Sequence, residues 1–179
     1  MTDKSWTVLG SSYALKDRWI SIRADDCVTP SGVNIAPYYV LESRDFIHVL
    51  ALDISERVVL VRQYRHAFGG MSLELPGGIA DPGEGDALVT AARELQEETG
   101  FSGGNFEQVA TLSPDPARYG NRVHLVRAKG VLPGTDNQEP SEDIEVVLVP
   151  REEAIRLAQT GGIANAVHVG LLLMGLARP

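Results

Sequence analysis

The sequence has a single cysteine, Cys27, among 179 residues. One cysteine excludes a disulfide within the chain and a zinc cluster built on cysteines. A lone cysteine is far more often a small buried hydrophobic residue than a nucleophile. We therefore expect Cys27 to pack in the interior.

Basic residues are also scarce. The chain has 16 lysines and arginines against 24 aspartates and glutamates, which gives a formal net charge of −8. Proteins that bind a nucleic-acid backbone usually present a basic stripe, so this charge argues against a nucleic-acid partner. It does not argue against a small anionic substrate, because a bound metal ion and a few local arginines can reverse the potential inside a pocket.

Long apolar runs are absent as well. The longest, Val169 to Ala177, is too short to cross a bilayer, and the first ten residues contain no apolar signal core. Hydrophobic residues make up 44% of the chain and charged residues 22%, as in an ordinary soluble globular protein. We expect a cytoplasmic protein with no membrane partner and enough residues for a proper core.

The first 43 residues have the pattern of β-strands that precede a main domain. A weak strand candidate, Trp6–Leu15, is followed by a clearer one that begins at Trp19 and alternates with period 2. Thr29–Gly32 predicts a turn, after which the chain returns through Ala36–Glu42. This predicts a β-hairpin suited to a dimer contact. The alternative is an extension that adds an edge to the main sheet.

The main domain, placed at residues 44–179, combines strand-like and helix-like segments. Phe46–Leu52 is a nearly continuous apolar run, and Val58–Arg65 follows as its partner strand. A helix is predicted to begin near Asp86, an N-cap residue, and to stop at Gly100, which suits the left-handed position after a helix. Further helices are predicted at Arg151–Gln159 and, after an Asn165 cap, through Leu176.

The helix after Asp86 carries Glu94, Glu97 and Glu98 at positions i, i+3 and i+4. Residues with this spacing project from one face of a helix, where like charges repel each other. A hard divalent cation with oxygen ligands would turn that repulsion into affinity. We therefore expect a Mg²⁺-dependent site for phosphate chemistry on this face, pointing away from the sheet toward a cleft. The buried stripe of the helix is predicted at Leu88, Ala91, Ala92, Leu95 and Thr99.

These glutamates belong to a longer pattern that contains Gly78, Glu84, Arg93-Glu94-Leu95, Glu97-Glu98 and Gly100-Phe101. The pattern closely resembles the Nudix box, which identifies the Nudix hydrolase family. Eight residues separate Glu84 from Arg93, one more than in the family pattern, and the extra residue falls in the loop before the helix. Because so many fixed positions match at fixed spacing, chance is a poor explanation.

The resemblance implies a fold and an activity. The fold is a Nudix-type α/β/α sandwich of the α+β (α/β) class with a mixed central sheet, here with added N-terminal strands. The activity is hydrolysis of the pyrophosphate bond of a nucleoside diphosphate linked to another moiety. The implied cofactor is Mg²⁺ or Mn²⁺, roughly two to three ions per site, which would stabilise displacement by water at phosphorus.

Carried over residue by residue, the resemblance makes Glu94 and Glu98 the main metal ligands. Glu97 would assist them and take part in catalysis. The backbone carbonyl of Gly77 is a further expected ligand, since glycine lets the backbone approach an ion closely.

The remaining catalytic residues are also implied by the resemblance. Arg93 and Glu84 would orient the metal-binding carboxylates, because an arginine suits a brace and not a ligand. The base that activates water would lie on a downstream acidic loop, where Glu142 is the best match and Glu139 the next. For either glutamate the alternative is an ordinary acidic surface loop.

Outside the box, Val61–Arg65 and Leu73–Gly78 are similar to the ADP-ribose and nucleotide-sugar pyrophosphatase branch of the family. Members of this branch are homodimers whose N-terminal strands complete the neighbour's pocket. The candidate substrate-binding residues on this analogy are Arg65 and Glu74, which would line the substrate end of the cleft, and Trp19, which would stack on the nucleobase with Tyr38 or Tyr39. The alternatives are a surface salt bridge for the arginine and simple packing for the tryptophan.

Three functions are compatible with these observations. The first is cleavage of ADP-ribose or a nucleotide sugar into a nucleoside monophosphate and a sugar phosphate. The second is cleavage of GDP-mannose or another nucleoside diphosphate compound. The third is a non-catalytic Nudix fold that senses a ligand, but such modules usually lose the box glutamates, and Glu94, Glu97 and Glu98 are all present.

Overall fold

The computed structural model describes residues 3–81, 83, 85–135 and 143–177. By its internal contacts the chain divides into two compact units. The first comprises the chain up to Arg44 together with Ser113–Arg122, and the second comprises Asp45–Leu112 and the chain from Val123 onward. The predicted division into an N-terminal extension of residues 1–43 and a main domain of residues 44–179 stays a prediction.

The first unit is a three-stranded antiparallel sheet of β1 (Thr7–Lys16), β2 (Ser21–Val28) and β3 (Asn34–Glu42), in that order. β2 and β3 form the predicted hairpin around the turn at Thr29–Gly32. The weak candidate segment is a full strand, β1, which pairs with β2 along its length. Because these strands form their own sheet, the alternative in which they add an edge to the main sheet is wrong.

Hydrogen bonds to Glu42 on β3 link the three strands of this sheet. On β2, Arg23 Nε donates to Asp25 Oδ1 at 2.8 Å, and another guanidinium nitrogen of Arg23 donates to Glu42. The Tyr13 hydroxyl on β1 donates to the same Glu42 carboxylate at 2.9 Å. The guanidinium holds the pKa of the buried Asp25 carboxyl below its usual value. Cys27 is buried, as predicted.

Trp19 lies in the connection between β1 and β2, so its predicted place on a strand is wrong. The Asp17 carboxylate accepts hydrogen bonds from the amides of Trp19 and Ile20 at 2.7 and 2.9 Å. These bonds fold the backbone into a turn, and β2 begins only at Ser21. Trp19 is 80% exposed, and its ring lies 4.4 Å from the Arg18 guanidinium.

The described residues of the second unit form one sheet and three helices. Its elements are β4 (Phe46–Asp53), β5 (Arg57–Arg65), β6 (Gly70–Glu74), β7 (Gly77–Ile79), α1 (Ala87–Thr99), β8 (Asn105–Leu112), β9 (Val123–Val131), β10 (Glu145–Pro150), α2 (Arg151–Thr160) and α3 (Ala166–Ala177). The strand order is β10-β5-β4-β9-β8, with β6 beside β5 and β7 beside β4. β4 and β9 are parallel and the other pairs are antiparallel, so the predicted mixed sheet is confirmed.

The helices begin and end close to the predicted residues. The Asp86 side chain caps α1, and Gly100 ends it in the left-handed conformation with φ 71°. α2 ends at Thr160, and the Asn165 side chain caps α3 by accepting a hydrogen bond at 2.9 Å. In the part of the chain that is described, no helix has both the length and the apolar character needed to cross a membrane.

β4 supplies alternate residues to two apolar clusters on opposite faces of the sheet. Ile47, Val49 and Ala51 pack with Ala91 and Leu95 of α1. Leu50 and Leu52 pack on the other face, in a cluster that contains Ala154, Ala158, Leu171, Leu172 and Leu176 of α2 and α3. Helices therefore cover both faces, and the predicted α/β/α sandwich is confirmed.

Candidate active site

A glycine turn meets the acidic face of α1 at the end of β6. Here the glycine turn means residues Leu75–Gly78. Within it, the Gly77 amide donates a hydrogen bond to Glu98 Oε2 at 2.8 Å. Gly77 has φ 146°, and a Cβ there would lie 2.1 Å from the carbonyl oxygen of Ile47. Only glycine fits this position, and its backbone lies directly against a carboxylate of the helix.

Gly78 leaves the space that the Glu94 carboxylate occupies. A Cβ built at Gly78 would lie 2.6 Å from Glu94 Oε1, closer than side-chain atoms approach each other. Glu94 and Glu98 are four residues apart and therefore lie one above the other on α1. Both carboxylates thus face the two glycines of the turn.

Glu98 is buried, with 5% of the residue exposed, so the expectation that the whole acidic face points away from the sheet is wrong. The physical reason is its hydrogen bond to the Gly77 amide, since a buried carboxylate needs a donor to replace water. Of the predicted buried stripe, Ala91, Leu95 and Thr99 are buried, whereas Leu88 and Ala92 are half-buried.

Arg93 contacts the carboxylates that it is predicted to orient. Its Nη2 lies 3.0 Å from Glu94 Oε1, and its Nη1 donates to Glu97 Oε2 at 2.7 Å. Asp81 Oδ2 lies 3.5 Å from the same Nη2. Arg93 therefore restrains two of the three helix glutamates, while the backbone of the turn restrains Glu98.

The donors at this turn suit a hard divalent cation. Glu94 and Glu98 supply carboxylate oxygens, which Mg²⁺ prefers, and the missing side chain of Gly78 lets the Glu94 carboxylate lie against the turn. The Glu97 carboxylate is more exposed than Glu94 and is bonded to Arg93 Nη1. Across residues 3–81, 83, 85–135 and 143–177, no three His, Cys, Asp or Glu side chains gather closely enough to hold a metal ion. The described residues thus fit a two-carboxylate site that other ligands would complete.

Arg65 and Glu74, both predicted to line the substrate end, are paired with each other. Arg65 Nε and Nη2 donate to the two Glu74 oxygens at 3.0 and 2.6 Å. Burial alone would raise the pKa of Glu74, but hydrogen bonds from Arg65 and Ser72 outweigh it and hold the pKa below its usual value. The Glu74 side chain is buried, whereas about half of the Arg65 side chain is exposed, so only the arginine is placed to meet a substrate.

Two histidines that the sequence did not predict as site residues lie on the α3 side of the glycine turn: His168 is buried and His48 is half-buried. The His48 and His168 rings are 4.3 Å apart between centroids. Burial lowers the pKa of His48 to about 3 and that of His168 to about 4, so both are neutral near pH 7. His168 Nδ1 accepts a hydrogen bond from the Leu75 amide at 2.9 Å. The signal in the sequence was a histidine inside each of two strongly apolar segments.

Trp19 and Tyr39 belong to the first unit. Tyr39 lies on β3 and is exposed, as is Trp19 in the β1–β2 connection. The neighbouring Tyr38 hydroxyl donates to the Ala117 carbonyl at 2.5 Å and thereby ties β3 to the segment Ser113–Arg122. Base stacking by Trp19 or Tyr39 stays a prediction.

Three predicted site residues lie outside the described residues: Glu84, Glu139 and Glu142. Their roles, orientation of the metal-binding carboxylates for the first and activation of water for the other two, stay predictions. The Gly77 carbonyl also stays a predicted ligand, because the contact seen at this residue is made by its amide.

Comparison with known proteins identifies two family matches. The NUDIX domain matches residues 43–168, and the nucleoside diphosphate sugar hydrolase N-terminal domain matches residues 6–41. Together they span most of the chain.

Curated relatives and a solved structure extend these matches. The ADP-ribose pyrophosphatase of Mycobacterium tuberculosis is 28% identical over 175 residues, which cover 97% of this chain and 84% of that protein. The CMP-5'-(N-acetyl-N-hydroxy-3-aminopropyl)phosphonate hydrolase of Streptomyces rubellomurinus is 28% identical over 173 residues, which cover 96% of this chain and 83% of that protein. The crystal structure of an ADP compounds hydrolase superposes with a TM-score of 0.85 at 22% identity, covering 96% of this chain and 92% of the other. This last likeness shows a shared fold.

Proposed function

The chain belongs to the Nudix hydrolase family, and on that premise we propose that it is a divalent-metal-dependent pyrophosphatase of ADP-ribose or a nucleotide sugar. The products would be a nucleoside monophosphate and a sugar phosphate. The observation that carries the proposal is the contact of the Gly77-Gly78 backbone with the Glu94 and Glu98 carboxylates.

Glu94 and Glu98 would hold Mg²⁺ or Mn²⁺, with Glu97 and the Gly77 carbonyl as further ligands. When bound, roughly two to three such ions neutralise the pyrophosphate and stabilise displacement at phosphorus. Arg93 keeps the Glu94 carboxylate beside the turn through its ion pair at 3.0 Å. The same guanidinium holds Glu97, so one side chain sets the position of two carboxylates.

For proton transfer we propose Glu142 as the general base, with Glu139 as the second candidate. A base must come within hydrogen-bond reach of the attacking water, and both glutamates belong to the acidic stretch of sequence that precedes β10. Glu84 would help Arg93 to orient the helix glutamates. The sequence pattern supports these three assignments.

The substrate class is supported by two comparisons and one contact. Residues 6–41 match a nucleoside diphosphate sugar hydrolase N-terminal domain, and a relative aligned over nearly the whole chain is named an ADP-ribose pyrophosphatase. Arg65 has an exposed guanidinium held by the buried Glu74, which suits contact with a phosphate. The exposed rings of Trp19 and Tyr39 suit stacking on a base. GDP-mannose and other nucleoside diphosphate compounds are the alternative substrates.

A homodimer is the proposed assembly. All ten residues of β1 are exposed, and they include Val8, Leu9, Tyr13 and Leu15. β1 is also an edge strand of its sheet, with one side of its backbone unpaired within the described chain. An exposed apolar edge strand is usually covered, and a second copy of this chain would cover it in the way that the family branch implies.

The experiment is a substrate panel. Purified protein is incubated with ADP-ribose, GDP-mannose, a UDP-sugar and a CMP-linked ester, each with Mg²⁺, Mn²⁺ or EDTA, and products are separated by chromatography and ³¹P NMR. Reaction in ¹⁸O-labelled water shows which phosphorus is attacked. We expect cleavage of ADP-ribose or a nucleotide sugar only when metal is present.

Three results would contradict the proposal in different ways. Cleavage in the presence of EDTA would show that the reaction does not require a divalent metal ion. Preference for the CMP ester would show that the substrate is a nucleoside monophosphate ester, so that pyrophosphate cleavage would no longer be the proposed reaction. No turnover of any compound at high enzyme concentration would leave a Nudix fold with a non-catalytic role.

A further inference from the structure

His168 on α3 is bonded to the backbone of the glycine turn although 93 residues separate it from Leu75. The Leu75 amide donates to His168 Nδ1 at 2.9 Å, and both residues are buried. β6 ends at Glu74, whose partner on β5 is Val61, so the Leu75 amide lies beyond that strand pairing. His168 thus supplies an acceptor for a buried donor that the sheet does not pair there.

The next two residues of the turn are held by other elements. The Pro76 carbonyl accepts a hydrogen bond from the Val49 amide of β4 at 2.8 Å. The Gly77 amide donates to Glu98 of α1 at 2.8 Å. Consecutive residues are therefore fixed by α3, by the central strand and by α1, so the turn is restrained from both faces of the sheet.

The chemistry of the His168 bond explains why an imidazole is useful at this place. Nδ1 accepts only when it carries no proton, so the hydrogen of the neutral ring is on Nε2. His48 lies 4.3 Å away between ring centroids, and the ion-paired Glu74 and Arg65 act on the His168 ring through their charges. A side chain that only filled space in the core would make no directional bond to the turn.

We propose that His168 is a positioning residue for the hydrolytic site: through the Leu75 amide it sets the place of the glycine turn against Glu94 and Glu98. The inference rests on the proposed function, because that function gives the turn its role. It assigns the C-terminal helix a part in metal binding that the Nudix box itself does not contain.

The test uses three variants of the full-length protein. His168→Leu removes the acceptor and keeps an apolar side chain. His168→Asn offers a carbonyl oxygen close to the place of Nδ1. Leu172→Ala, on the same helix and also fully buried, is the control for general loss of packing. All are assayed well below their melting temperatures.

Two measurements separate positioning from packing. Mn²⁺ affinity, measured by electron paramagnetic resonance, should fall roughly 10–100-fold in His168→Leu, as for other residues that orient metal ligands. It should recover in His168→Asn and stay at the wild-type value in Leu172→Ala. Amide hydrogen exchange without metal should accelerate at Leu75 and Gly77 in His168→Leu, and not in the control.

Wild-type Mn²⁺ affinity in His168→Leu, or an equal loss in Leu172→Ala, would overturn the positioning role. So would unchanged exchange at Leu75 and Gly77. If the wild-type protein itself binds no Mn²⁺ and cleaves no substrate, the proposed function fails. The exchange experiment still decides whether His168 holds the turn.

Discussion

Glu98 accepts a hydrogen bond from the Gly77 amide at 2.8 Å, and this bond joins the acidic helix to the glycine turn. One N–H donor occupies only part of the acceptor capacity of a carboxylate, so Glu98 can bind a cation while it remains bonded to the turn. The same bond makes the neutral isostere an informative substitution.

Glu98→Gln should keep an oxygen acceptor for Gly77 and remove the negative charge. We expect turnover with Mg²⁺ to fall by about 10²-fold or more, with little change in melting temperature. Steady-state kinetics and thermal melting measure both effects. Glu152→Gln, on the exposed side of α2, is the matched control and should keep wild-type turnover. Turnover near the wild-type value in Glu98→Gln would remove this glutamate from the metal site.

Gly78→Ala should displace the Glu94 carboxylate, because the new Cβ would lie 2.6 Å from its Oε1. A small misplacement of a catalytic group can reduce the rate by about 10²-fold, so we expect kcat/KM to fall by roughly 10- to 100-fold. Gly170→Ala is the control, since a Cβ there meets no atom within 4 Å. It should stabilise α3 by about 0.5–1 kcal/mol and leave activity unchanged. Equal activity in both variants would contradict the packing of Glu94 against the turn.

Stability should fall as the pH decreases from about 6.5 toward 4, because His48 and His168 stay neutral in the folded protein. The folded-state pKa values, about 3 and about 4, lie below the usual 6.5. The unfolded chain therefore takes up protons first, and each histidine costs about 1.4 kcal/mol of unfolding free energy per pH unit in this range. Above pH 6.5 this contribution is fully present.

Urea unfolding between pH 7 and 5 measures this slope before most carboxylates titrate. His168→Asn should remove the contribution of one histidine to this slope, so its unfolding free energy should change less steeply with pH. A free energy of unfolding that is constant between pH 6.5 and 5 would show that the two rings are accessible to protons in the folded state.

Leu9→Arg should convert the proposed homodimer to monomers, because Leu9 is 67% exposed on β1 and would lie in the interface. Light scattering coupled to size exclusion gives the mass. Leu132→Arg is the control on the second unit, where an equally large apolar side chain is 50% exposed. A wild-type dimer that persists in Leu9→Arg places the interface elsewhere, and a monomeric wild type contradicts the assembly itself.

Local signals in the sequence predicted the helices and most strands. Asp86 and Gly100 mark the ends of α1 because capping depends on the residues at the cap itself. Trp19 shows the limit of such signals, since period-2 alternation continued into a turn that the Asp17 side chain forms. Glu98 is buried because it bonds to Gly77, 21 residues away. His168 accepts a hydrogen bond from Leu75, 93 residues away. Periodicity carries no information about such distant partners.

The part of the candidate site that could be predicted is the part whose residues lie in one short segment of the sequence. Spacing placed the helix glutamates on one face, and the family resemblance of the segment that contains both added the glycine turn to them. The pairing of Arg65 with Glu74 required the β5–β6 register, which residue types do not specify.

The alternation along β4 links folding accuracy to activity. A slip of one residue in its pairing would move Ile47 and Val49 to the opposite face and turn His48 toward α1, because side chains in a strand alternate. The slip would also separate His48 from Gly77, its partner on β7. Gly77 would then move away from Glu98, which its amide contacts. A molecule refolded in the wrong register would be compact and inactive, so recovered activity reports on the fidelity of a single strand.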